Sequence, residues 1–477
     1  MKRKFLLLPN LIFFALTALS QQESDLWLDS IRTLSERELR EIVMQFHPVA
    51  RQADLLVEKA KTDITIAKRM FDPLLSAKLG NKTFDGVEYY NNFQQGLTIP
   101  TWFGVEVNAG IENLSGSRTN PEETVGKTSY AGVTVPLAKN LLMDQRRAAL
   151  QQAKIFREMS EAEKRTMLND LLQDAMDAYW QWVQHHEVMR VMVDAVGVNQ
   201  KRLELVRIAY RLGDRPAMDT VEALTQLQGF QFMLNEATLH FNNSCLRLST
   251  FLWNDKLQPV DLPTSVQPDS SWKQAGLDTI LPPMLEELLS QARQNHPELL
   301  QYDYKLTALG VEKKLKFQEL LPSINFQYNQ LGKGYDIFKS TTASLFDNNY
   351  RYAVSFGIPL RFSQGRGEYR KAKLTIRETS LQRNHKTVML ENKIRSYYNE
   401  LLALRDQVSL QRQQYRNLRQ LQRGEETKLF NGESSLFLVN SRENKALEAL
   451  QKLVALETKY FKTLNSLYWA GGVLPGK

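Results

Sequence analysis

Cysteine and histidine are scarce in this chain of 477 residues, which contains one cysteine, Cys245, and six histidines. A single cysteine cannot form a disulfide within the chain, and it lacks the partner thiolates of a zinc site. We find no nucleophilic serine motif, no clustered metal ligands and no phosphate loop with its lysine. The sequence therefore argues against an enzyme and predicts neither a cofactor nor a metal site.

Long apolar runs are missing beyond the N-terminus. Lys2, Arg3 and Lys4 precede an apolar run over residues 11–19, and the small residues around Ala18 suit cleavage. This arrangement predicts a secretory signal peptide over residues 1–20. No later stretch of about 18 apolar residues could cross a bilayer as a helix. We therefore expect either a soluble exported protein or a β-barrel, whose closed hydrogen-bonding pattern tolerates lipid.

Charge of one sign is not concentrated in any segment. The net charge is +8, but lysines and arginines alternate with acidic residues in the helical regions. Nucleic-acid-binding proteins usually gather positive charge on one face. We therefore predict no nucleic-acid partner.

Proline is absent from two long intervals, between Pro136 and Pro216 and between Pro359 and Pro475. Apolar residues at steps of three and four predict one helix over residues 142–211, about 105 Å long at 1.5 Å per residue. So long a helix must bury its seam against other long helices, in a coiled coil or a helical cylinder. Prolines gather instead in residues 255–284, which we predict to be an irregular linker on the side of the helices.

The chain also repeats itself. Arg147, Ala153 and Gly213 each recur 219 residues later, and His47-Pro48 recurs as His296-Pro297, each followed by another proline 25 residues on. Shared offsets predict an internal duplication. The expected repeats span residues 21–254 and 285–477. Each would contain a helix, strands (about 73–137 and 321–361), a long helix, a turn near 213 or 432, and a return helix.

The strand segments alternate between apolar and polar residues. From Tyr350 to Ile358, every second side chain is apolar or aromatic. This pattern is typical of a transmembrane barrel with a wet lumen, and equally of a half-buried soluble sheet. Two strands per repeat cannot close a barrel, and open edges are not tolerated in lipid. The barrel interpretation therefore requires neighbouring copies of the chain.

Three segments carry a family resemblance through their order and spacing. They are Tyr130-Ala-Gly-Val-Thr-Val-Pro-Leu, Tyr352-Ala-Val-Ser-Phe-Gly-Ile-Pro-Leu and Gly365-Arg-Gly-Glu-Tyr-Arg-Lys-Ala. Over nearly the whole mature chain, the sequence resembles the TolC-like outer membrane efflux protein family. The resemblance implies a mixed α/β membrane protein with two internal repeats. Its trimeric transmembrane β-barrel, with at least four strands per chain, would continue into a long antiparallel α-helical barrel in the periplasm.

The resemblance also implies a location and partners. The chain would be a homotrimer in the outer membrane of a Gram-negative cell, in contact with outer-membrane lipid, and residues 255–284 would form an equatorial linker. The tunnel would meet a periplasmic adaptor (membrane fusion) protein and an inner-membrane RND or ABC transporter. The first half is 26 residues longer between its opening and closing strands. These residues could form an extra hairpin around Ile99–Gly104, giving eighteen strands per trimer, or a long loop, leaving twelve.

The function that the resemblance implies is that of a passive exit duct in a tripartite efflux system. A conduit for secreted polypeptides, as in type I secretion, would have the same tunnel. A soluble periplasmic coiled-coil adaptor is an alternative from another class of protein.

The predicted helix turns supply the candidate site. Gly213 and Gly432 would allow the positive φ that a helix reversal commonly needs. Around the first turn, Tyr210, Arg215, Asp219 and Glu222 resemble a family gate motif in which tip residues hold the entrance shut. The second turn departs from that motif, with Glu433 and Ser435 after its glycine. Asp219 and Glu222 could form acidic rings in the lumen, or be ordinary acids at a helix N-terminus.

Overall fold

The computed structural model describes residues 33–120, 123–274, 284–342, 345–346 and 348–476. The predicted signal peptide and residues 275–283 of the predicted linker lie outside the described residues. The described chain divides into two compact units. We call one the helical unit (Met1–Asp54, Arg165–His296 and Thr387–Lys477) and the other the sheet unit (Leu55–Lys164 and Pro297–Lys386).

Elements of the first half include four long strands and two long helices. In chain order they are β1 Thr33–Leu34, α1 Glu36–Phe46, α2 Pro48–Lys68, a 3-10 turn Arg69–Phe71, β2 Leu74–Phe84, β3 Val87–Pro100, β4 Glu106–Ser115, β5 Gly126–Pro136, α3 Gln145–Arg211 and α4 Ala217–Ser249.

Elements of the second half include two long strands and two long helices. They are β6 Gln267–Pro268, α5 Ser271–Gln274, α6 Leu285–Asn295, α7 Pro297–Gln318, β7 Ser323–Lys333, α8 Ile337–Thr342, β8 Tyr350–Gly357, α9 Ser363–Phe430, α10 Leu436–Ala470 and a 3-10 turn Leu474–Gly476. Helices α3 and α9 have 67 and 68 residues, and α4 and α10 have 33 and 35, as an internal duplication would leave them.

The sheet unit contains an antiparallel sheet of six strands in the order β2-β3-β4-β5-β7-β8. The extra residues of the first half form the hairpin β3–β4 rather than a long loop. Its connection turns at Gly104, whose φ is +85°. Pairing of β5 with β7 joins the two halves in one sheet. Strands β2 and β8 therefore stand at the two ends, each with a single neighbour among the described strands.

Alternate apolar side chains on both end strands are exposed. On β8, Tyr352, Val354 and Phe356 are each about 60% exposed or more, and on β2 Leu75 and Leu79 are about 75% exposed. A sheet in water would bury such a face against a second layer. This face therefore needs an apolar environment that the described chain does not provide.

The helical unit has a continuous core in which four long helix segments meet. Trp182 of α3 and Tyr460 of α10 are fully buried, and Trp180 of α3 stacks on Phe461 of α10 with ring centroids 4.3 Å apart. The buried Tyr179 hydroxyl donates to the backbone oxygen of Leu34, at 3.1 Å, so its polar group has a partner. Helix α10 buries side chains along its whole length and is the common partner of the others.

The described part of the predicted linker packs on the helices. Strands β1 and β6 pair in parallel, and Trp272 of α5 meets Trp180 edge-on with ring centroids 5.7 Å apart. Lys273 forms an ion pair with the buried Glu187 of α3. Burial opposes ionisation of Glu187, but the nearby His186 side chain and the hydrogen bond and charge of Lys273 outweigh it, lowering its pKa to about 2. Among the described helices, none combines the length and apolar character needed to cross a membrane.

We expect Glu187→Gln to destabilise the helical unit by about 2 kcal/mol at pH 7, because Lys273 loses its charged partner. A depressed carboxyl pKa stabilises the fold above the unfolded value of about 4.5 and loses that effect as pH falls towards 2. The difference in urea midpoint between the variant and the parent should therefore shrink between pH 5 and pH 2. A difference that stays constant with pH would show that the Glu187 charge contributes nothing.

Candidate gate at the two helix turns

The two helix reversals share one backbone geometry. At the end of α3, the Gly213 amide donates to Tyr210 (3.0 Å) and the Asp214 amide donates to Ala209 (2.9 Å). At the end of α9, Gly432 and Glu433 make the same two bonds, at 3.2 and 2.9 Å. These are the 5→2 and 6→1 bonds of a Schellman motif, which needs a left-handed residue at its centre. Gly213 and Gly432 supply it, with φ of +81° and +78°.

Arg215 connects the two turns. One guanidinium nitrogen contacts the Asp219 carboxylate at 3.1 Å, and another donates to the backbone oxygen of Leu429 at 3.2 Å. Leu429 lies in the last turn of α9, and its carbonyl oxygen accepts from the Gly432 amide as well as from Arg215. The Arg215 and Asp219 side chains are only 25% and 18% exposed. This partly dry ion pair therefore fastens the start of α4 to the end of α9.

The other predicted tip residues have different environments. Glu222 accepts a hydrogen bond from the Asn440 amide at 3.2 Å, so it is tied to α10. The Ser435 hydroxyl caps α10 by accepting from the Leu438 amide, at 3.4 Å. Glu433 is exposed. Tyr210 is 48% exposed, and its hydroxyl has no hydrogen-bond partner within the described residues. The structure thus brings together Arg215 and Asp219, and leaves Tyr210 and Glu433 apart from them.

A buried polar network lies farther from the turns. Arg202 of α3 contacts both oxygens of the Glu443 carboxylate in α10, at 2.5 and 3.2 Å. Asn199 and Asn440 complete it: the Asn199 amide donates to Glu443 at 3.3 Å, and Arg202 donates to Asn440 at 3.4 Å. The Glu443 side chain is 8% exposed. Arg202 also lies 3.6 Å from Glu426 of α9, so one guanidinium contacts three long helices.

Sequence reasoning missed this network, although a pattern in α10 could have revealed it. Asn440 and Glu443 fall in register with the buried apolar residues Leu436, Val439 and Ala446. Polar side chains on an otherwise apolar stripe need buried partners. These residues lie inside α10, away from the turn motif.

The sequence also suggested that charge is interspersed throughout, and α9 is an exception. Its arginines at 405, 412, 416, 419 and 423 are spaced by three, four or seven residues, which places them along one side of the helix. Arg412 pairs with Glu457 at 2.6 Å and Arg419 donates to Gln422 at 2.8 Å. In linear order, this stripe is mixed with acidic residues that lie on other sides of the helix, so the sequence alone did not reveal it.

Metal-ligating side chains were compared across the part of the chain that the structure describes. In the described ranges, no group of three or more His, Cys, Asp or Glu side chains could hold a metal ion. His185 and His240 approach each other, with ring centroids 5.5 Å apart, but they do not form such a group.

Solved outer-membrane channels have the same fold as this chain. CusC superposes with a TM-score of 0.67 at 13% identity, covering 92% of each chain. The open state of MtrE from Neisseria gonorrhoeae gives 0.64 at 14% identity, covering 94% of this chain and 91% of that one. VceC from Vibrio cholerae gives 0.63 at 16% identity, covering 92% and 96%. No curated protein sequence matches the chain.

The architecture is therefore that of a TolC-like channel. Residues 288–473 match the model of the outer membrane efflux protein family. The predicted family resemblance is confirmed.

We expect Arg202→Met to destabilise the helical unit by about 3–5 kcal/mol, because Glu443 would keep a buried charge without its partner. The double variant Arg202→Met/Glu443→Met should recover most of that loss, since two apolar side chains of similar volume can replace a buried pair. Urea unfolding followed by circular dichroism measures both. Equal destabilisation in the single and double variants would mean that packing, rather than the unpaired charge, sets the cost.

Proposed function

We propose that this protein is the outer-membrane exit duct of an efflux system, conducting substrates passively from the periplasm to the exterior. The observation that carries the proposal is the pairing, in one chain, of an outer membrane efflux protein domain with a six-stranded sheet that has two open ends. An open-ended sheet with an exposed apolar face cannot stay in lipid unless copies of the chain close it. Three copies would give an eighteen-stranded barrel.

The proposed partners follow from the family. A periplasmic adaptor and an inner-membrane RND or ABC transporter would deliver cargo at the end where the two helix turns lie. Polypeptide secretion would use the same duct. Co-purification of the tagged protein from crosslinked membranes distinguishes the two uses, because the transporter that is recovered identifies the pathway. Recovery of the protein in the soluble periplasmic fraction would contradict both uses and favour the adaptor alternative.

The contacts of Arg215 support a gating role for the turns. A protein that only needed stable helix ends could cap each one separately, as Ser435 does for α10. Arg215 instead bonds to a carbonyl of the other repeat, so its contacts resist separation of α4 from α9. Because Asp219 holds the guanidinium in place, the pair acts as one unit. We infer that this unit keeps the resting duct closed.

We expect Arg215→Ala and Asp219→Ala each to raise the time-averaged conductance of the channel in planar bilayers, because either change weakens the Leu429 carbonyl contact. A salt-screened ion pair at this exposure contributes only about 1 kcal/mol, so we expect an increased open probability rather than a permanently open pore. Arg211→Ala is the matched control, since Arg211 is exposed and its one hydrogen bond among the described residues is to the Arg207 carbonyl of its own helix. Unchanged conductance in both test variants, or an equal increase in the control, would refute the gating role.

A further inference from the structure

Two glycines interrupt the first helical hairpin, which consists of α3 and α4. Gly197 lies inside α3, 16 residues before the turn glycine Gly213, and Gly229 lies inside α4, 16 residues after it. Because the two helices run in opposite directions from the turn, both glycines lie about 20 Å from it, at 1.5 Å per residue. The hairpin therefore has a glycine in each helix at nearly the same level.

Packing does not require glycine at either position. A Cβ added at Gly197 or Gly229 would meet no other side chain or neighbouring helix within 4 Å, among the described residues. Glycine inside a helix is destabilising relative to alanine, because it leaves the backbone more conformational freedom. Val196 and Val198 flank Gly197, and β-branched residues also have low helix propensity. Both helices are therefore easiest to bend at this level.

The end of the hairpin beyond the glycines, residues 198–228, has an apolar cluster of its own. We call this segment the hairpin tip. Leu203 and Val206 of α3 and Leu227 of α4 belong to this cluster, which is distinct from the main core of the helical unit. Among the described residues, Leu436 of α10 is the one buried member that another helix contributes. The hairpin tip can therefore move as one body.

Polar groups make most of the specific contacts between the hairpin tip and α10. Besides the Arg202–Glu443 network, the Gln226 amide donates to the Asn444 side chain at 2.8 Å. Such contacts can be exchanged for water when the helices separate, whereas separating an apolar core exposes it to water. Farther from the turn than the glycines, α3 and α10 share the apolar core around Trp182. Contacts that can be exchanged for water therefore lie on the turn side of the glycines.

We propose that Gly197 and Gly229 form a hinge about which the hairpin tip swings away from α10. This inference rests on the proposed function and deepens it, because the swing separates Arg215 from Leu429 and opens the resting duct. Helix α10 contains no glycine from its first residue to its last, so it is the stiff element from which the hairpin tip departs.

A buried cysteine under the hairpin tip reports the swing. Leu436 is 1% exposed, so in a Cys245→Ser background Leu436→Cys should react with maleimide only when the hairpin tip moves away. Arg215→Ala should speed this reaction in the purified oligomer. Adding Gly197→Ala or Gly229→Ala should then slow it by up to about fivefold for each substitution, because alanine favours the straight helix. Time-averaged conductance in planar bilayers should fall in parallel.

Matched controls separate the hinge from general stabilisation. Gly310 of α7 and Gly424 of α9 are also helix-interior glycines with open space around them, so alanine at either should raise the urea midpoint without slowing the labelling of Leu436→Cys. Leu453→Cys, 7% exposed in the main core, should label at one rate in all the glycine variants.

Other results overturn the proposal in distinguishable ways. Unchanged labelling of Leu436→Cys in the double glycine variant would refute the hinge and leave the proposed function standing. Equal slowing at Leu436→Cys and Leu453→Cys would also refute it, because the alanines would then stabilise the whole unit. Slowing by Gly424→Ala alone would place the bend in α9 instead. Glycine-dependent labelling in a protein that conducts no ions in bilayers would support the hinge and refute the proposed function.

Discussion

A helix of 67 residues is too long to be buried in a globular core, and this constraint determines how the helical unit is stabilised. Each long helix can be stabilised only by a narrow apolar seam that contacts another helix along its length. Helix α10 meets this need within the chain, burying residues from Leu436 to Ala470 against its neighbours. On helix α4, the described residues bury one apolar face, which includes Leu227 and Phe230, and leave Met218 and Phe232 exposed.

Long seams also create a specificity problem, because a heptad pattern tolerates sliding by seven residues. Buried polar groups at particular positions prevent this sliding, because they find their partners in one register only. The Arg202–Glu443 pair, with Asn199 and Asn440, can form only when α3 and α10 are in one register, and any slip would leave a charge buried without a partner. At the turns themselves, Arg215 contacts Leu429. The pair that fixes register is more buried than the Arg215–Asp219 pair at the turns.

The sequence predicted the long helices well because proline-free intervals and periodicity are local properties. It located both turn glycines, and the structure gives each the expected positive φ. The sequence did not decide between a β3–β4 hairpin and a long loop, because the segment Ile99–Gly104 suits either one until the strand pairing is known. It did not identify Asn199 or Arg202, whose partner Glu443 lies more than 240 residues away. Which side chains pair between two helices depends on the register of those helices, and the residue pattern within a single helix does not determine that register. The gate role that the resemblance implies for Tyr210, Arg215, Asp219 and Glu222 stays a prediction; within the described residues, Arg215 pairs with Asp219 and Glu222 bonds to Asn440 of α10.

Closure of the sheet by neighbouring copies is the central claim, and disulfide crosslinking between its end strands tests it most directly. Cysteine pairs combining Leu79 or a neighbouring residue of β2 with Val354 or a neighbouring residue of β8 would be oxidised in outer membranes, in a Cys245→Ser background. We expect at least one pair to yield a covalent trimer on a denaturing gel, because β2 of one copy would pair with β8 of the next. Crosslinks formed only within single chains, or only covalent dimers from every pair, would contradict the claim.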